Sequence, residues 1–301
     1  MAKILVTGGA GFIGSNLVDQ LIELGHHTVV LDDLSSGLKE NVNRQAEFHQ
    51  VDICDWESMS LLFKGIDFVI HLAAIPRVPV SLADPVGTSK VNIMGTLNVF
   101  KAASEAKVKR VVFASSSSVY GDQDKMPLVE TMIPNPISPY GLQKLVGEQW
   151  AKMFTNLYQL PVVCLRYFNV YGPRIDFNSD YSLVLGKFLK QHSQNETFTI
   201  FGDGEQTRAF CFVGDVVAAN IKAMESSKIK GGELINIGAE TSQSINYLAD
   251  LVGGEKTYLP QRAGDMLHTQ ADTQKAKELL DWESKVSLEE GVEITKKWFE
   301  R

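Results

Sequence analysis

The chain has 301 residues, 44% of them hydrophobic and 9% aromatic, enough for one large domain or two small ones. Its formal net charge of -7 argues against broad binding to nucleic acid or to an anionic membrane, so any anion site must gather its arginines locally. The three cysteines, Cys54, Cys164 and Cys211, are scattered, and neither they nor the six histidines show metal spacing. No metal is expected, and the cysteines read as small buried residues of a reducing compartment.

No apolar run approaches the ~18 residues of a membrane span. The N-terminus runs directly into a strand and glycines, so a cytoplasmic protein without a signal peptide is expected.

In chain order, Lys3 to Thr7 is a β-branched run suited to a buried parallel strand. Gly8-Gly9-Ala10-Gly11-Phe12-Ile13-Gly14 follows. It reads as G-x-G-x-x-G from Gly9 and as G-x-x-G-x-x-G from Gly8. An amphipathic helix carrying Ile13, Leu17, Leu21, Ile22 and Leu24 is stopped by Gly25. Thr28 to Leu31 is a second strand, ending in Asp32-Asp33. Glycines let backbone N–H groups approach a pyrophosphate, and the helix N-terminus adds partial positive charge. Asp32, eighteen residues beyond Gly14, is placed to accept from ribose hydroxyls. Its carboxylate disfavours a 2′-phosphate, so NAD is expected rather than NADP.

The alternation continues with a strand over Glu47–Val51, ending in Asp52-Ile53, and a helix over Asp55–Phe63. A strand over Phe68–Leu72 runs into Ala73-Ala74, whose small side chains let a cofactor lie against backbone. The patterning predicts a long helix over Pro85–Ala106 and a strand over Arg110–Ala114. The run Ser115-Ser116-Ser117-Ser118, followed by Val119-Tyr120-Gly121, sits at that strand's C-terminal end. A helix over Tyr140–Tyr158 puts Tyr140 and Lys144 on one face. A phenol titrates near pH ~10, and an adjacent ammonium favours its ionised form, so Lys144 is expected to make Tyr140 a base near neutrality. A hydroxyl of the serine run would share the substrate proton. Pro161–Leu165 is the next strand, and the whole reads as a doubly wound α/β domain with a parallel sheet.

After Arg166-Tyr167-Phe168-Asn169 the alternation weakens. Helices are expected over Leu183–Gln191 and Asp215–Glu225, strands over Thr197–Phe201 and Leu234–Ile237, and helical spacing over Asp272–Trp282. This divides the chain into a cofactor-binding Rossmann domain, 1–168, with elements returning near 210–238, and a smaller interleaved α+β substrate-binding domain, 169–301. The cleft between them would hold the second ligand.

Together these residues resemble the extended short-chain dehydrogenase/reductases, in their UDP-hexose 4-epimerase-like group. The resemblance runs from Thr7 to Gly14, through Asp32, Asp52-Ile53, His71-Leu72-Ala73-Ala74, Asn92, the serine run and Tyr140-x-x-x-Lys144, to Arg166-Tyr167-Phe168-Asn169, Arg208 and Arg262-Ala263-Gly264-Asp265. It implies catalytic roles for Ser116, Tyr140 and Lys144. It implies NAD contacts from Gly8, Gly11, Phe12, Ile13, Gly14 and Asp32, from Asp52, Ile53, Leu72, Ala73 and Ala74, and from Tyr140, Lys144 and Tyr167. It implies substrate contacts from Arg77, Ser116, Ser117, Tyr140 and Asn169, and from Arg208, Arg262, Asp265 and Thr269. Guanidinium groups at Arg208 and Arg262 suit a pyrophosphate, which they match bidentately.

The same resemblance narrows the reaction. Dehydratases of the group carry Thr-Asp-Glu where this chain has Ser116-Ser117-Ser118, and the glutamate of related decarboxylases falls at Ser118. Elimination needs such an acid–base pair. What remains is oxidation and re-reduction at C4 of a UDP-hexose, through a transient 4-keto sugar, on tightly held, recycled NAD. Thr269, small, falls where a wall residue of the family admits or excludes an N-acetyl group, so UDP-GlcNAc/UDP-GalNAc and UDP-Glc/UDP-Gal are both expected. The alternatives are a UDP-glucuronate 4-epimerase, a nucleotide-sugar dehydratase or decarboxylase, and, from another class, a non-catalytic NAD(H)-binding protein. The two long helices resemble those that pair in a family homodimer, so a homodimer is expected; exposed apolar faces at Val91, Leu97 or Trp150 would support it, the alternative being that either helix packs wholly inside the subunit.

Overall fold

Strands buried on both faces build the first half of the molecule, a computed structural model that describes residues 1–177, 183–260 and 268–301. β1 (Lys3–Thr7), α1 (Phe12–Glu23), β2 (His27–Asp32) and β3 (Glu47–Gln50) follow one another. Asp55 caps the short α2 (Trp56–Ser60), and β4 (Phe68–His71) comes next. α3 (Val78–Ala83), α4 (Pro85–Ser89) and α5 (Thr96–Glu105) lead to β5 (Arg110–Ser116), α6 (Pro139–Tyr158) and β6 (Val162–Tyr167). Ser138 caps α6, with Pro139 in its first turn.

The second half has shorter elements. β7 (Val170–Tyr171), α7 (Val184–Ser193), β8 (Phe198–Phe201), β9 (Thr207–Arg208) and β10 (Cys211–Phe212) precede α8 (Val213–Glu225) and β11 (Leu234–Ile237). β12 (Gln243–Ser244), α9 (Ile245–Val252), β13 (Lys256–Leu259), β14 (His268–Thr269), α10 (Gln274–Leu280) and α11 (Leu288–Phe299) complete it. Sequence patterning predicts none of α3, α9, α11 or β13.

Seven strands pair in parallel in the order β11-β6-β5-β4-β1-β2-β3. The order reverses between β1 and β4, where a doubly wound sheet opens a crevice at its carboxyl edge. Within β1, Ile4 and Val6 pack with Leu17 of α1 and Val216 of α8, while Leu5 packs with Phe100 of α5 and Phe154 of α6 on the other face. A separate core of Tyr171, Phe188, Phe198 and Leu248 forms in the second half. β11 and α8 return to the first sheet, so the chain crosses between the two cores more than once.

The helix expected over Pro85–Ala106 differs from that expectation in its middle. Lys90–Gly95 is a π-turn between α4 and α5. Its cause is tertiary. Asn92 turns inward, accepts from Ile75 N at 2.8 Å and donates to Ile75 O at 3.1 Å and to Gln143 Oε1 of α6 at 2.7 Å. One extra residue in the turn aims that side chain at the loop after β4. Val91, Leu97 and Trp150 are packed against the core, the alternative to an exposed apolar face; Val86, Met94, Leu142, Met153, Leu157 and Tyr158 are exposed on these helices. Among the described residues no helix is long and apolar enough to cross a membrane.

His71, at the end of β4, is fully buried between two threonines. Its Nδ1 lies 2.7 Å from Thr7 Oγ1 and its Nε2 3.0 Å from Thr96 Oγ1. Thr96 already donates its proton to Asn92 O at 2.8 Å, so it must accept from His71. The ring is therefore the neutral Nε2–H form, accepting from Thr7. Burial, assisted by the Lys144 charge, pushes its pKa from 6.5 down to about 3. The unfolded chain thus binds a proton that the folded chain refuses. Stability from this site is complete above pH 6.5 and is lost as pH falls toward 3, by ~1.4 kcal/mol per pH unit. Urea midpoints measured at stepwise lower pH should fall with that added slope, and His71→Gln should lack it; an equal slope in both proteins would contradict the assignment.

Candidate active site

A cavity of about 570 Å³ opens at the carboxyl edge of the sheet. At one end the glycine loop joins β1 to α1. Gly8 has φ +73°, and a Cβ there would stand 2.7 Å from Ala73 N. A Cβ on Gly14 would stand 2.1 Å from Gly8 O. Loop, helix and the Ala73 strand end thus meet backbone to backbone, which only glycine allows. Gly11 caps α1 without a side-chain hydrogen bond, and the first turn holds no acid. Its N–H groups and dipole are available to an anion.

Asp32 ends β2, buried beside this loop. Its Oδ2 accepts from Ala10 N and its Oδ1 from Leu34 N, each at 2.9 Å. Each oxygen keeps a lone pair for a ribose hydroxyl. Burial raises its pKa, against the pull of those two amides. Asp52 and Ile53, then Leu72, Ala73 and Ala74, line the same end of the cavity. The set fits NAD: a side-chain-free cradle at a helix N-terminus, a carboxylate for ribose, and small residues on the opposite wall.

Ser116, Tyr140 and Lys144 stand where β5 meets α6, and all three line the cavity. Ser116 Oγ accepts from Ser118 N and lies 3.1 Å from Ser118 Oγ, closing a single turn after the strand. The Tyr140 amide, unpaired within its helix, donates to Ser81 Oγ of α3 at 3.1 Å. Lys144 shares Tyr140's helix face, as the spacing predicts, but its ammonium lies 5.9 Å from the phenol ring centre and donates to Ala114 O at 2.8 Å. Lys144 alone therefore does not bring Tyr140 near neutrality. Burial pushes the phenol up to about 12, and the Ser116 hydroxyl is what pulls it down. Desolvation of the phenol thus outweighs the neighbouring ammonium on which the expectation from spacing rests.

Arg77, Asn169 and Arg208 also line the cavity, with Tyr167 and Ser117. Arg77 pairs with Asp176, a carboxylate that patterning did not single out although it follows Arg174 by two residues. Tyr167 donates to Asn220 Oδ1 at 2.8 Å. Asn169, at φ +36°, donates to Ala209 O at 3.3 Å and to Thr269 Oγ1 at 3.1 Å. Thr269 is buried behind Asn169 and is not among the residues that line the cavity; it reaches the site through that hydrogen bond. Arg262 and Asp265 lie outside the described residues. No metal-ligand cluster occurs among the described residues. Cys164 and Cys211 are buried and Cys54 half-buried, all as free thiols.

The profile of the NAD dependent epimerase/dehydratase family matches residues 4–238. The chain belongs to this family. NAD is accordingly its cofactor, and the chain is an NAD-dependent enzyme. The crystal structure of a UDP-glucose 4-epimerase from Thermotoga maritima, with UDP-glucose, is 42% identical, with a TM-score of 0.95 over 99% of this chain and 98% of that one. A UDP-N-acetylglucosamine 4-epimerase from Methanobrevibacter ruminantium, in complex with UDP-N-acetylmuramic acid, is 38% identical, with a TM-score of 0.94 over 99% and 98%. A UDP-glucose 4-epimerase of Mycolicibacterium smegmatis is 39% identical over 99% of this chain and 98% of its own.

The cradle makes its own demand on NAD binding. Gly14→Ala places a methyl group into Gly8 O, so purified protein should carry roughly tenfold less NAD, about 1.4 kcal/mol of lost affinity. Undiminished NAD content in the folded variant would show that the loop yields without cost.

Proposed function

We propose that this enzyme inverts C4 of a UDP-hexose, interconverting UDP-GlcNAc with UDP-GalNAc and UDP-glucose with UDP-galactose. One observation carries the reading. A single cavity joins the dinucleotide cradle to Ser116, Tyr140 and Lys144, and the turn beside Ser116 holds only serines where elimination would require an acid. The similarity to structures named as UDP-glucose and UDP-N-acetylglucosamine 4-epimerases supports the same substrate class.

When bound, NAD supplies a hydride acceptor and donor facing the sugar. The chain's residues handle the proton. Tyr140 is the base for the C4 hydroxyl, with Ser116 between them to carry the proton across. Lys144, held by Ala114 O, places a cation beneath this pair. Burial excludes water, so the proton that Tyr140 takes is retained and returned in the reverse half-reaction. Arg208 and Arg77, which also line the cavity, are cations suited to the diphosphate. Among the residues assigned to substrate, Asn169 tethers the sugar end to Thr269.

Incubation with UDP-glucose, UDP-N-acetylglucosamine and UDP-glucuronate, read by proton NMR at C4, tests the reading. C4 epimers of the first two should appear, and Tyr140→Phe should slow them by about 10²–10⁴-fold. Turnover of glucuronate alone would select the uronate branch. No turnover of any sugar, with NAD added, would overturn the proposal.

In the same assay Thr269→Tyr should reduce turnover of the acetamido sugar at least about tenfold while sparing the plain one, because a ring at this buried position must push Asn169 toward the sugar. Equal loss on both sugars would remove Thr269 as a determinant of specificity.

A further inference from the structure

The segment Gly172–Phe177 is anchored at both ends in the second half of the molecule, and between them it is fastened to both sides of the crevice. A Cβ on Gly172 would stand 2.4 Å from Val213 Cγ1, and the Phe177 ring meets Phe299 edge-on at 4.7 Å between centres. On the β1 side, Asn16 of α1 donates to Phe12 O at 2.9 Å and to Pro173 O at 3.0 Å. Asp19 Oδ2, on the same helix, pairs with Arg174 Nη2 at 2.7 Å, while Asn43 donates to the other oxygen of that carboxylate at 2.7 Å. On the β4 side, Arg77 pairs with Asp176. Between these ties Ile175 is buried in a cluster against which Phe12 packs. Ile175 and Asp176 both line the cavity that the glycine loop opens into.

The turn in this segment carries an unfavourable residue. Ile175 N donates to Gly172 O at 3.2 Å, with Pro173 and Arg174 between them, and Arg174 has φ +68°. That is the pattern of a type II turn, whose second central position ordinarily holds glycine or asparagine. An arginine there is strained, and its Nη1 is buried with no hydrogen-bond partner among the described residues. Neither feature stabilises the fold, and a partly exposed ion pair adds little. Such strain persists only where the surroundings hold it, and it marks a residue kept for a task. What Arg174 does here is join the segment to the helix whose first turn faces the dinucleotide.

We propose that Gly172–Phe177 is a strap across the NAD crevice, and that Asn16, Asp19, Arg174 and Asp176 fasten it and so set how fast NAD enters and leaves. A dinucleotide reaching from the glycine loop to Tyr140 lies beneath Ile175 and Asp176, and it passes only when a tie opens. The ties act on the strap whether the crevice is loaded or empty. Loosening them therefore speeds entry and exit alike and leaves the affinity in place. The proposal needs only the cofactor, and it holds whichever sugar the enzyme takes.

The experiment mixes NAD-loaded protein with an excess of the fluorescent analogue 1,N6-etheno-NAD and follows the exchange, while equilibrium dialysis gives the dissociation constant for NAD. Arg174→Gly gives the turn its favoured residue and removes one tie. Asp176→Asn removes the tie on the opposite side. Exchange should quicken about threefold in each and about tenfold in the double variant, with the dissociation constant within about twofold of wild type. A residue that holds NAD by contact, or that merely supports the cradle, predicts a dissociation constant that rises in step with the exchange rate. That result overturns the proposal, and so does unchanged exchange in the folded double variant. If Arg174→Gly does not fold, Asp176→Asn, which keeps the shape of the side chain, is judged alone by the same two readings.

Discussion

The closeness of three backbone segments at the sheet's reversal point sets everything else. Gly8 lies against Ala73, and Gly14 lies against Gly8. These contacts leave no room for a side chain, and they bring a helix N-terminus to the edge of the sheet where β1 and β4 diverge. A looser loop would move α1 outward and carry its amides away from the crevice. From that fixed end, the cavity extends along the strand ends toward β5 and α6, so the place of the reacting groups is measured from the glycine turn. Asp32 belongs to the same constraint. Its two oxygens accept from Ala10 and Leu34, so the carboxylate at the end of β2 also holds the loop.

At the other end the organising quantity is desolvation. Tyr140, Lys144 and His71 each lose water, and each shifts toward its neutral form: the phenol up to about 12, the ammonium down to about 8, the imidazole down to about 3. For His71 the neutral form is the useful one, because a one-way hydrogen-bond chain from Ala73 N through Thr7, His71 and Thr96 to Asn92 O requires it. That chain reaches Ile75 and Gln143 through the Asn92 side chain, so the loop after β4 and helix α6 are joined in one polar network. For Tyr140 and Lys144 the same burial works against ionisation, so an ionised form of either needs a compensating partner at close range.

How legible this was depends on what kind of contact a residue makes. The glycine loop and Asp32 were readable because each residue type has a local, nearly unique task. That Ser116, Tyr140 and Lys144 share one cavity was readable through spacing and resemblance together, but the direction of the Lys144 ammonium was not, since Ala114 O lies on another element. The π-turn at Lys90–Gly95 was hidden for the same reason: Asn92 is pulled inward by Ile75, seventeen residues away. β13 was missed because it is a largely exposed strand that pairs, among the described residues, with distant β8, so no burial pattern marks it. α11 had a local signal that patterning passed over. Ser287 caps Glu290 N, with Glu289 and Glu290 in the first turn, ahead of an amphipathic run.

The position of Thr269 changes how specificity must be thought of. A wall residue acts by its own volume. Thr269 stands behind Asn169, in a three-stranded patch where β9 pairs with β12 and β14, and Arg208 lies opposite it in register. Its hydroxyl accepts from Asn169, whose strained φ is held by a second bond to Ala209 O. Arg208 and Thr269 are therefore mounted on one small sheet, with Asn169 bonded to its edge. A larger residue at Thr269 would tilt Asn169 and shift β9 together, so Arg208 and Asn169 would move as a unit. Under the proposed reading, the selectivity of the sugar end would depend on the stiffness of that patch as much as on the space in front of it.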